Sequence, residues 1–294
     1  MLWLAPPQWD AASGSYNASE MAALKKNLTR HRNAITVIGT VGYSIDPSAD
    51  RWWGANSPGV ESFNADMKGM GFKVHPLIGG LRGNLSQYCN ASTSPNACQV
   101  QHYRRIWAQP QGFIARAVEL IKKGGWDGVN IDFESGAGTA EDAQHFAAFL
   151  AKLADAVHAV GARVSVDTNW GPYLNPGTLS AGNTVDTFCD MQTYGLHDTD
   201  FKGDLVRDSN LTTMRRYGLG VCPTCCNPCL DVELKPPRKV RWNTKNLTTR
   251  FDFATRMGVR EVNIWMNTAL GDTCEDARGE VCWWDQIAAW LKAP

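Results

Sequence analysis

The sequence has no surplus of either charge, because 29 Lys and Arg residues balance 29 Asp and Glu residues. A chain without net charge has no general attraction for a phosphate backbone or an anionic lipid surface, so neither nucleic acid nor membrane is an expected partner. It also lacks any run of about 18 apolar residues, which excludes an ordinary membrane-spanning helix. No residue type dominates the composition, with 44% hydrophobic and 20% charged residues. Disordered, collagen-like and coiled-coil chains are thereby excluded, and a globular protein is predicted.

The cysteines are numerous, nine in 294 residues, and their spacing favours disulfides. Cys89 and Cys98 bracket one polar loop, and Cys274 and Cys282 bracket another. Four more crowd into CPTCCNPC at 222–229, where a zinc site is the alternative to a disulfide knot. Four zinc ligands in so short a segment make an awkward tetrahedron, so disulfides are preferred there. Cys189 is left over in an apolar stretch and is predicted to be a buried free thiol.

Asn-x-Ser/Thr sequons are the second sign of the compartment. They stand at Asn17, Asn27, Asn84, Asn90, Asn210 and Asn246. Sequons matter only in chains that pass through a secretory route, which is also where disulfides persist. Together the two features predict a glycoprotein that is secreted or resides in a lysosomal or vacuolar lumen.

Short apolar runs alternate with helical patterns along the whole chain. Strands are predicted at 2–5, 35–43, 72–78, 128–134, 162–168, 187–194, 217–222 and 261–266. Asn17, with Glu20 three positions later, is predicted to open a helix with a capping box, and Thr139 is predicted to cap a long helix. Eight strands, each followed by a helix or a long loop, predict an α/β fold, a (β/α)8 TIM barrel with disulfide-stapled loops. A doubly wound sheet is the competing topology, and no linker divides residues 1–294, so one domain is expected.

The segment DGVNIDFE at 127–134 carries the clearest chemical signal. Asn130, Asp132 and Glu134 alternate with apolar residues, so in a strand they share one face. In a barrel that face points inward, and Glu134 comes last, at the C-terminal mouth where barrel enzymes have their active sites. An exposed edge strand with a wet polar face is the alternative. Carboxylates inside a barrel are costly unless paired, hydrated or used, and crowding raises the pKa of one of them, which suits a general acid.

DGVNIDFE resembles the DxxDxDxE signature of the family 18 glycoside hydrolases, the chitinases and their relatives, with Asn130 in place of the middle Asp. The DGxNxDxE form is similar to the di-N-acetylchitobiase branch. Other segments resemble family motifs in the same order. They are HPLIGG at 75–80, VDTNW at 166–170, QTY at 192–194 and NIW at 263–265. The resemblance implies a TIM-barrel glycosidase that works without a metal or cofactor.

The resemblance also implies roles for four residues. Glu134 would protonate the glycosidic oxygen, and the 2-acetamido oxygen of the substrate would attack the anomeric carbon to form an oxazolinium ion. Asp132 would orient the acetamido N–H and stabilise the positive charge, while Tyr194 would donate a hydrogen bond to the acetamido oxygen. Trp265 would form the floor of the pocket, since the apolar face of a pyranose stacks on an indole. Glu134 would then act as base for water, with retention of configuration.

Four further residues are expected to bind substrate. Asn130 cannot take up a proton, but it can donate a hydrogen bond that fixes Asp132. Gln192 is either structural or a ligand of the acetamido group, and Trp170 is favoured as a second sugar platform. Asp127 completes the set, although an anchor at the start of its strand suits it better than a sugar contact.

The expected activity is hydrolysis of β-1,4-linked N-acetylglucosamine, in chitooligosaccharides or in the chitobiose core of N-glycans, by a monomeric enzyme. A glycan-binding lectin on the same barrel is one alternative. A peptidoglycan-directed N-acetylglucosaminidase is the other, because peptidoglycan sugars also carry 2-acetamido groups.

Overall fold

The eight-stranded barrel expected from the sequence is present in the computed structural model of the chain. Residues 1–10, 12–46, 51–55, 59–81, 89, 93–169, 171–182, 184–193, 202–203, 205–207, 214–221, 244–265 and 283–292 are described. The barrel strands are β1 Leu2–Leu4, β2 Val37–Asp46, β3 Leu77–Leu81, β4 Gly128–Ile131, β5 Arg163–Thr168, β6 Thr187–Asp190, β7 Tyr217–Val221 and β8 Glu261–Trp265. Each strand pairs in parallel with the next, and β8 pairs with β1, which closes the ring. Closure excludes the doubly wound sheet, which has two open edges, and it excludes an edge position for β4.

Proline splits the third predicted strand. The chain forms Lys73–Val74, which pairs with β2, and then β3 from Leu77 onward. Pro76 lies between them, and a proline has no N–H to donate to a sheet. Arg51–Ala55 adds an antiparallel strand to β2, and the pair Trp9–Asp10 and Ser15–Tyr16 forms a separate two-stranded sheet.

Helices surround the barrel. They are α1 Ala18–Arg30, α2 Val60–Gly69, α3 Pro95–Ala108, α4 Gln111–Gly124, α5 Ala140–His158, α6 Pro176–Leu179, α7 Thr244–Arg256 and α8 Trp283–Lys292. In the described part of the chain, no helix combines the length and the apolar character needed to cross a membrane.

The two predicted helix caps are both present, but only one forms a capping box. Thr139 accepts from the backbone N–H of Asp142, whose carboxylate accepts in return from the Thr139 N–H at 2.7 Å. Asn17 accepts from the N–H groups of the first turn of α1. The acidic partner expected for it, Glu20, accepts instead from the N–H of Gln8 at 3.1 Å. The Asn17 cap is thus present, but the capping box predicted for it with Glu20 was wrong, because the N–H of Asn17 donates to the carbonyl of Gln8 in the loop before α1.

The predicted cysteine chemistry is confirmed where the structure describes it. Cys89 and Cys98 form a disulfide, and Cys189 is a buried free thiol on β6. His102 lies close to both disulfide sulfurs, but sulfurs bonded to each other are not thiolate ligands, so this group does not form a metal site. The cysteines at 222–229 and at 274 and 282 lie outside the described residues.

Hydrogen bonds to the carboxylate of Asp142 stabilise the start of α5, and their contribution can be tested. Its two oxygens accept from Nε and Nη2 of Arg104 at 2.7 and 2.8 Å. These bonds, with those from Thr139, lower the pKa of Asp142 to about 2. A carboxyl whose pKa falls on folding stabilises the fold above its unfolded pKa and loses that effect as the pH falls through the folded value.

We therefore expect Asp142→Asn to lower the free energy of unfolding by about 1–3 kcal/mol at pH 7, and by progressively less towards pH 2. Denaturant unfolding across this pH range measures the difference. Glu119→Gln, which breaks the exposed pair of Glu119 with Arg116, is the control and should change stability little. A loss for Asp142→Asn that stays constant with pH would contradict the electrostatic origin.

Candidate active site

The carboxylates at the barrel mouth are oriented by the phenylalanine between them. Regular pairing of β4 ends at Ile131, three residues earlier than predicted, but the N–H of Asp132 still donates to the carbonyl of Ile78 at 3.0 Å. Phe133 is fully buried among the helices, Asp132 is half-buried and Glu134 is exposed. The alternation therefore continues past the strand, and it directs both acidic side chains away from the helical layer.

An aromatic cluster holds Phe133 in place. Its ring stacks on Tyr103 of α3, with a centroid distance of 4.7 Å and an interplanar angle of 4°. Phe113 of α4 and Phe146 of α5 contact the same ring, each with a centroid distance of 5.8 Å. A buried phenylalanine stabilises a fold by roughly 3–5 kcal/mol relative to alanine, so rotating this segment would be costly.

Hydrogen bonds hold the backbone around the carboxylates. The hydroxyl of Tyr173 donates to the carbonyl of Phe133, and that of Tyr103 donates to the carbonyl of Glu134 at 3.3 Å. Ser135 then ties the loop to α3 by donating to the carbonyl of Asn96 at 2.7 Å. A Cβ on Gly138 would collide with the ring of Tyr173, so the loop needs glycine there.

A second polar row lies beside the first. Ser165, Asp167 and Asn169 follow one another at every second position of β5 and just beyond it. Asn130 pairs in register with Ser165, and at the mouth Asn169 Nδ2 donates to Glu134 Oε1 at 3.2 Å. The two rows together bring three carboxyl groups, Asp132, Glu134 and Asp167, into one half of the barrel.

Asn130 does not bind the partner expected for it. Its Nδ2 donates to Ser165 Oγ at 3.1 Å and to Asp167 Oδ1 at 2.9 Å. Its Oδ1 accepts from Nε1 of Trp3 at 3.0 Å. Both amide hydrogens are thus used by β5, and the predicted bond to Asp132 was wrong. The inward face of Asn130 had been inferred correctly, but which strand would supply its partner depends on the barrel.

One carboxyl oxygen of Asp132 is free to accept a hydrogen bond. Its Oδ1 is buried and has no hydrogen-bond partner among the described residues. Its Oδ2 lies 3.7 Å from the position that a Cβ on Gly79 of the neighbouring strand would occupy, which is an ordinary van der Waals distance. A buried carboxylate oxygen normally has a donor, so Asp132 is suited to accept one from a bound molecule.

Burial dominates the electrostatics of this cluster. It raises the pKa of Asp132 well above the usual range, and the charges of Asp167 and Glu134 add to the effect. Burial raises the pKa of Asp167 in the same way. The pKa of Glu134 is also raised by loss of hydration, against which the hydrogen bond from Asn169 acts. Glu134 therefore keeps its proton to a higher pH than an ordinary glutamate, as a general acid requires.

Trp265 and Asp127, two further predicted residues, lie at opposite ends of the barrel. Trp265 ends β8 half-buried, with its ring 5.8 Å from that of Trp3. Asp127 lies at the opposite end of β4 from Glu134, where it accepts from the N–H of Val74 at 3.0 Å and from Lys68 Nζ at 2.9 Å. These contacts are those of an anchor at the start of the strand, the role that the sequence favoured for Asp127 over a sugar contact.

Three predicted residues cannot be placed with the others. Tyr194 and Trp170 lie outside the described residues. Gln192 belongs to a short 3₁₀ turn, Met191–Thr193, that directly follows β6, and its side chain is outside the described atoms. The sixth strand is accordingly shorter than predicted, since it ends at Asp190.

Sequence reasoning missed the β5 row as a set. The segment SVDTN has the same two-residue alternation as NIDFE, which was the available signal. Its significance depends on β5 lying next to β4, and that adjacency is a property of the barrel. Trp3 had no comparable signal, since it stands in a short apolar run at the start of the chain.

No protein-family profile and no curated protein matches the chain. Solved structures do match its fold. A chitinase from Chromobacterium violaceum superposes with a TM-score of 0.69 at 13% identity, covering 100% of this chain and 99% of that one. Catalytic domain 2 of the Ostrinia furnacalis Group II chitinase, a mutant in complex with (NAG)5, gives 0.62 at 14% identity, covering 99% and 94%. The Bacillus megaterium spore cortex-lytic enzyme SleL gives 0.62 at 9% identity, covering 92% of this chain and 71% of that one. At these identities the similarity shows a shared barrel fold.

The bond between Asn169 and Glu134 predicts a titration effect. Asn169 donates to the carboxylate and so lowers the pKa of Glu134, and Asn169→Ala should therefore raise that pKa. Carboxyl ¹³C NMR measures this directly, with Glu134→Gln to assign the signal. Asn175→Ala, which removes only the cap of α6, should leave the pKa of Glu134 unchanged. An unshifted Glu134 in Asn169→Ala would show that the bond does not form in solution.

Proposed function

We propose that this protein is a retaining glycosidase of the chitinase type, which hydrolyses β-1,4-linked N-acetylglucosamine by substrate-assisted catalysis. The observation that carries the proposal is the pair Asp132 and Glu134, held on one face by buried Phe133 at the C-terminal end of β4. The shared fold with chitinase structures supports it. So does the DGxNxDxE motif, which points to the di-N-acetylchitobiase branch.

Glu134 is the general acid in this scheme. Its carboxyl is exposed at the mouth, where a glycosidic oxygen can reach it, and its raised pKa favours the protonated form. The proton passes from Glu134 to the leaving oxygen as the bond from that oxygen to the anomeric carbon breaks. The resulting carboxylate later removes a proton from the water that attacks the same carbon.

Asp132 is not suited to be a nucleophile. It is less accessible than Glu134. Burial and two neighbouring carboxyls raise its pKa, so the ionised form that a nucleophile requires is disfavoured. A substrate with a 2-acetamido group supplies the nucleophile itself, since its carbonyl oxygen closes on the anomeric carbon to give an oxazolinium ion. The unpartnered Oδ1 of Asp132 is available to accept from the acetamido N–H. Two successive inversions at one carbon give overall retention.

Aromatic side chains complete the proposed subsite. Trp265 lies at the C-terminal end of β8 and is half-buried, so part of its indole is available to a pyranose face. Tyr194 is proposed as the donor to the acetamido oxygen, with Gln192 and Trp170 as further substrate contacts. We further propose secretion or a lysosomal or vacuolar location for a monomeric glycoprotein, which the disulfide of Cys89 with Cys98 supports.

Glu134→Gln tests the acid directly. Loss of a general acid should lower the turnover of chitooligosaccharides by about 10²–10⁴-fold, while binding of the same oligosaccharides stays largely intact. Product analysis by chromatography and binding by calorimetry measure the two effects. Glu141→Gln, at an exposed position in the first turn of α5, is the matched control and should retain activity.

Three outcomes would overturn or redirect the proposal. Turnover in Glu134→Gln at the wild-type rate would remove Glu134 as the acid. Binding without any turnover in the wild-type protein would make it a lectin. Peptidoglycan fragments cleaved in preference to chitooligosaccharides would move the substrate to cell walls, an outcome kept in view because SleL shares the fold.

Trp265→Ala tests the sugar platform. Loss of the stacking surface should raise KM for chitooligosaccharides by about tenfold, since an aromatic contact of this kind contributes roughly 0.5–1.5 kcal/mol beyond burial. Trp265→Phe keeps a flat ring and should recover most of the loss. Steady-state kinetics measure KM for both variants. Thermal unfolding checks that each variant still folds without the contact between Trp265 and Trp3. An unchanged KM in a folded Trp265→Ala protein would remove Trp265 from the subsite.

A further inference from the structure

One carboxyl inside the barrel has no role in the proposed reaction. Asp167 of β5 is only 1% exposed, and it follows Ser165 on the strand face that lies beside Asn130. An isolated buried carboxyl is destabilising unless it is neutral or bound by donors. Its presence therefore needs a physical reason beyond packing.

The surroundings of Asp167 contain donors but no described cation. Asn130 Nδ2 donates to its Oδ1 at 2.9 Å, and the thiol of Cys189 on β6 acts with it to lower the pKa of Asp167. The charges that act on Asp132 are those of Asp167 and Glu134, and the charge that acts on Asp167 is that of Glu134. Asp132 stands on the neighbouring strand segment, two residues beyond Asn130, just as Asp167 stands two residues beyond the paired Ser165.

The N-terminal ammonium of Met1 acts on the thiol of Cys189 and donates to the carbonyl of Val262 at 2.7 Å. However, no described cation acts on Asp132 or Asp167 themselves. Tyr103 of α3 and Tyr173 after β5 interact with Asp132 and Glu134, and burial keeps both phenols protonated by raising their pKa values. Glu261 of β8 acts on the thiol of Cys189, whose pKa is likewise raised by burial. Like-charged carboxyls this close in a dry interior do not both ionise readily.

We propose that Asp167 is a positioning residue for Asp132: the two carboxyls hold one proton and one negative charge between them, and Asn130 fixes Asp167 in place. The catalytic part of this role rests on the proposed function. When positive charge develops on the oxazolinium ion, the negative charge resides on Asp132 and the proton on Asp167. After the charge disappears, the proton can return, so the exchange is balanced within the pair and needs no other reactant.

This arrangement separates two tasks that a single side chain cannot combine. Asn130 is an amide and keeps its hydrogen bonds at every pH, so the geometry of the pair does not change as the proton moves. Asp167 has the titratable group that Asn130 lacks. The loss of an acid at position 130 is thereby offset from the adjacent strand.

Asp167→Asn with Ser165→Ala as the matched control tests the charge. The asparagine can still accept from Asn130 through its Oδ1, but it removes one negative charge beside Asp132. We expect the acid limb of kcat/KM against pH to move down by about one unit, the size of shift that a nearby like charge produces. Ser165→Ala removes two neutral hydrogen bonds, the one from Asn130 and the one to the carbonyl of Val129, but no charge, so its pH profile should not move. An unshifted profile in Asp167→Asn would overturn the proposal.

An exchange of amide and carboxyl gives a second test. Asn130→Asp alone adds a third carboxyl to the pair of Asp132 and Asp167, beside Glu134, and should reduce activity at neutral pH and move the acid limb up. The double variant, Asn130→Asp with Asp167→Asn, restores one amide and two carboxyls and should recover activity by about tenfold or more over Asn130→Asp. Losses that simply multiply would show that the two positions are not coupled, and the proposal would fail.

Thermal unfolding separates this proposal from the proposed function. A carboxyl whose pKa rises on folding costs the fold stability as the pH rises from its unfolded pKa through its folded pKa. The melting temperature of Asp167→Asn relative to wild type should therefore increase by a few degrees as the pH rises from about 4 to about 7, while that of Ser165→Ala stays level. If this trend holds and no saccharide is cleaved, the carboxyl pair stands and the glycosidase proposal fails. If saccharides are cleaved and neither trend nor profile responds, the pair is wrong.

Discussion

The burial of Phe133 is the constraint on which the site depends. Its ring is enclosed by aromatic side chains from α3, α4 and α5, so the residues on either side of it are forced to the opposite face. Asp132 and Glu134 therefore point toward the barrel axis and mouth without any stabilising contact between them. The apolar packing that holds the helices on the barrel is the same packing that holds the reactive groups in position.

Two carboxyls on one strand end up in different environments because the barrel is wet at its mouth and dry below it. Glu134 is exposed and has an amide donor in Asn169, whereas Asp132 is deeper and faces Asp167. Position along a single strand thus separates an acid that can reach solvent from one that is kept from it. Two residues, which span about 6.6 Å in a strand, are enough to make this difference.

The polar interior is stabilised by neutral donors. Trp3, Asn130 and Ser165 form a hydrogen-bonded chain from β1 through β4 to β5, and Asp167 ends it. The members of that chain come from three different strands, and Trp3 also packs on Trp265 of β8. The carboxyl cluster is therefore tied to the closure of the ring, since β1 is the strand that joins β8 to β2.

Local pattern by itself determined a large part of this protein. The period of two in DGVNIDFE identified the inward residues, and the cap at Thr139 identified the start of α5. The eight apolar runs identified the barrel strands to within a few residues, apart from the break at Pro76, because period, capping and chain breaks depend on neighbours in sequence. Tertiary structure alone decided which strands meet. It brought Asn130 into a hydrogen bond with Asp167, Asn169 into one with Glu134, and the ring of Trp3 against that of Trp265. It also showed Asp127 bound to Val74 and Lys68 at the end of β4 that lies away from Glu134. Those contacts join residues up to 262 positions apart, as Trp3 and Trp265 are, and only the closed ring of hydrogen-bonded strands brings them together.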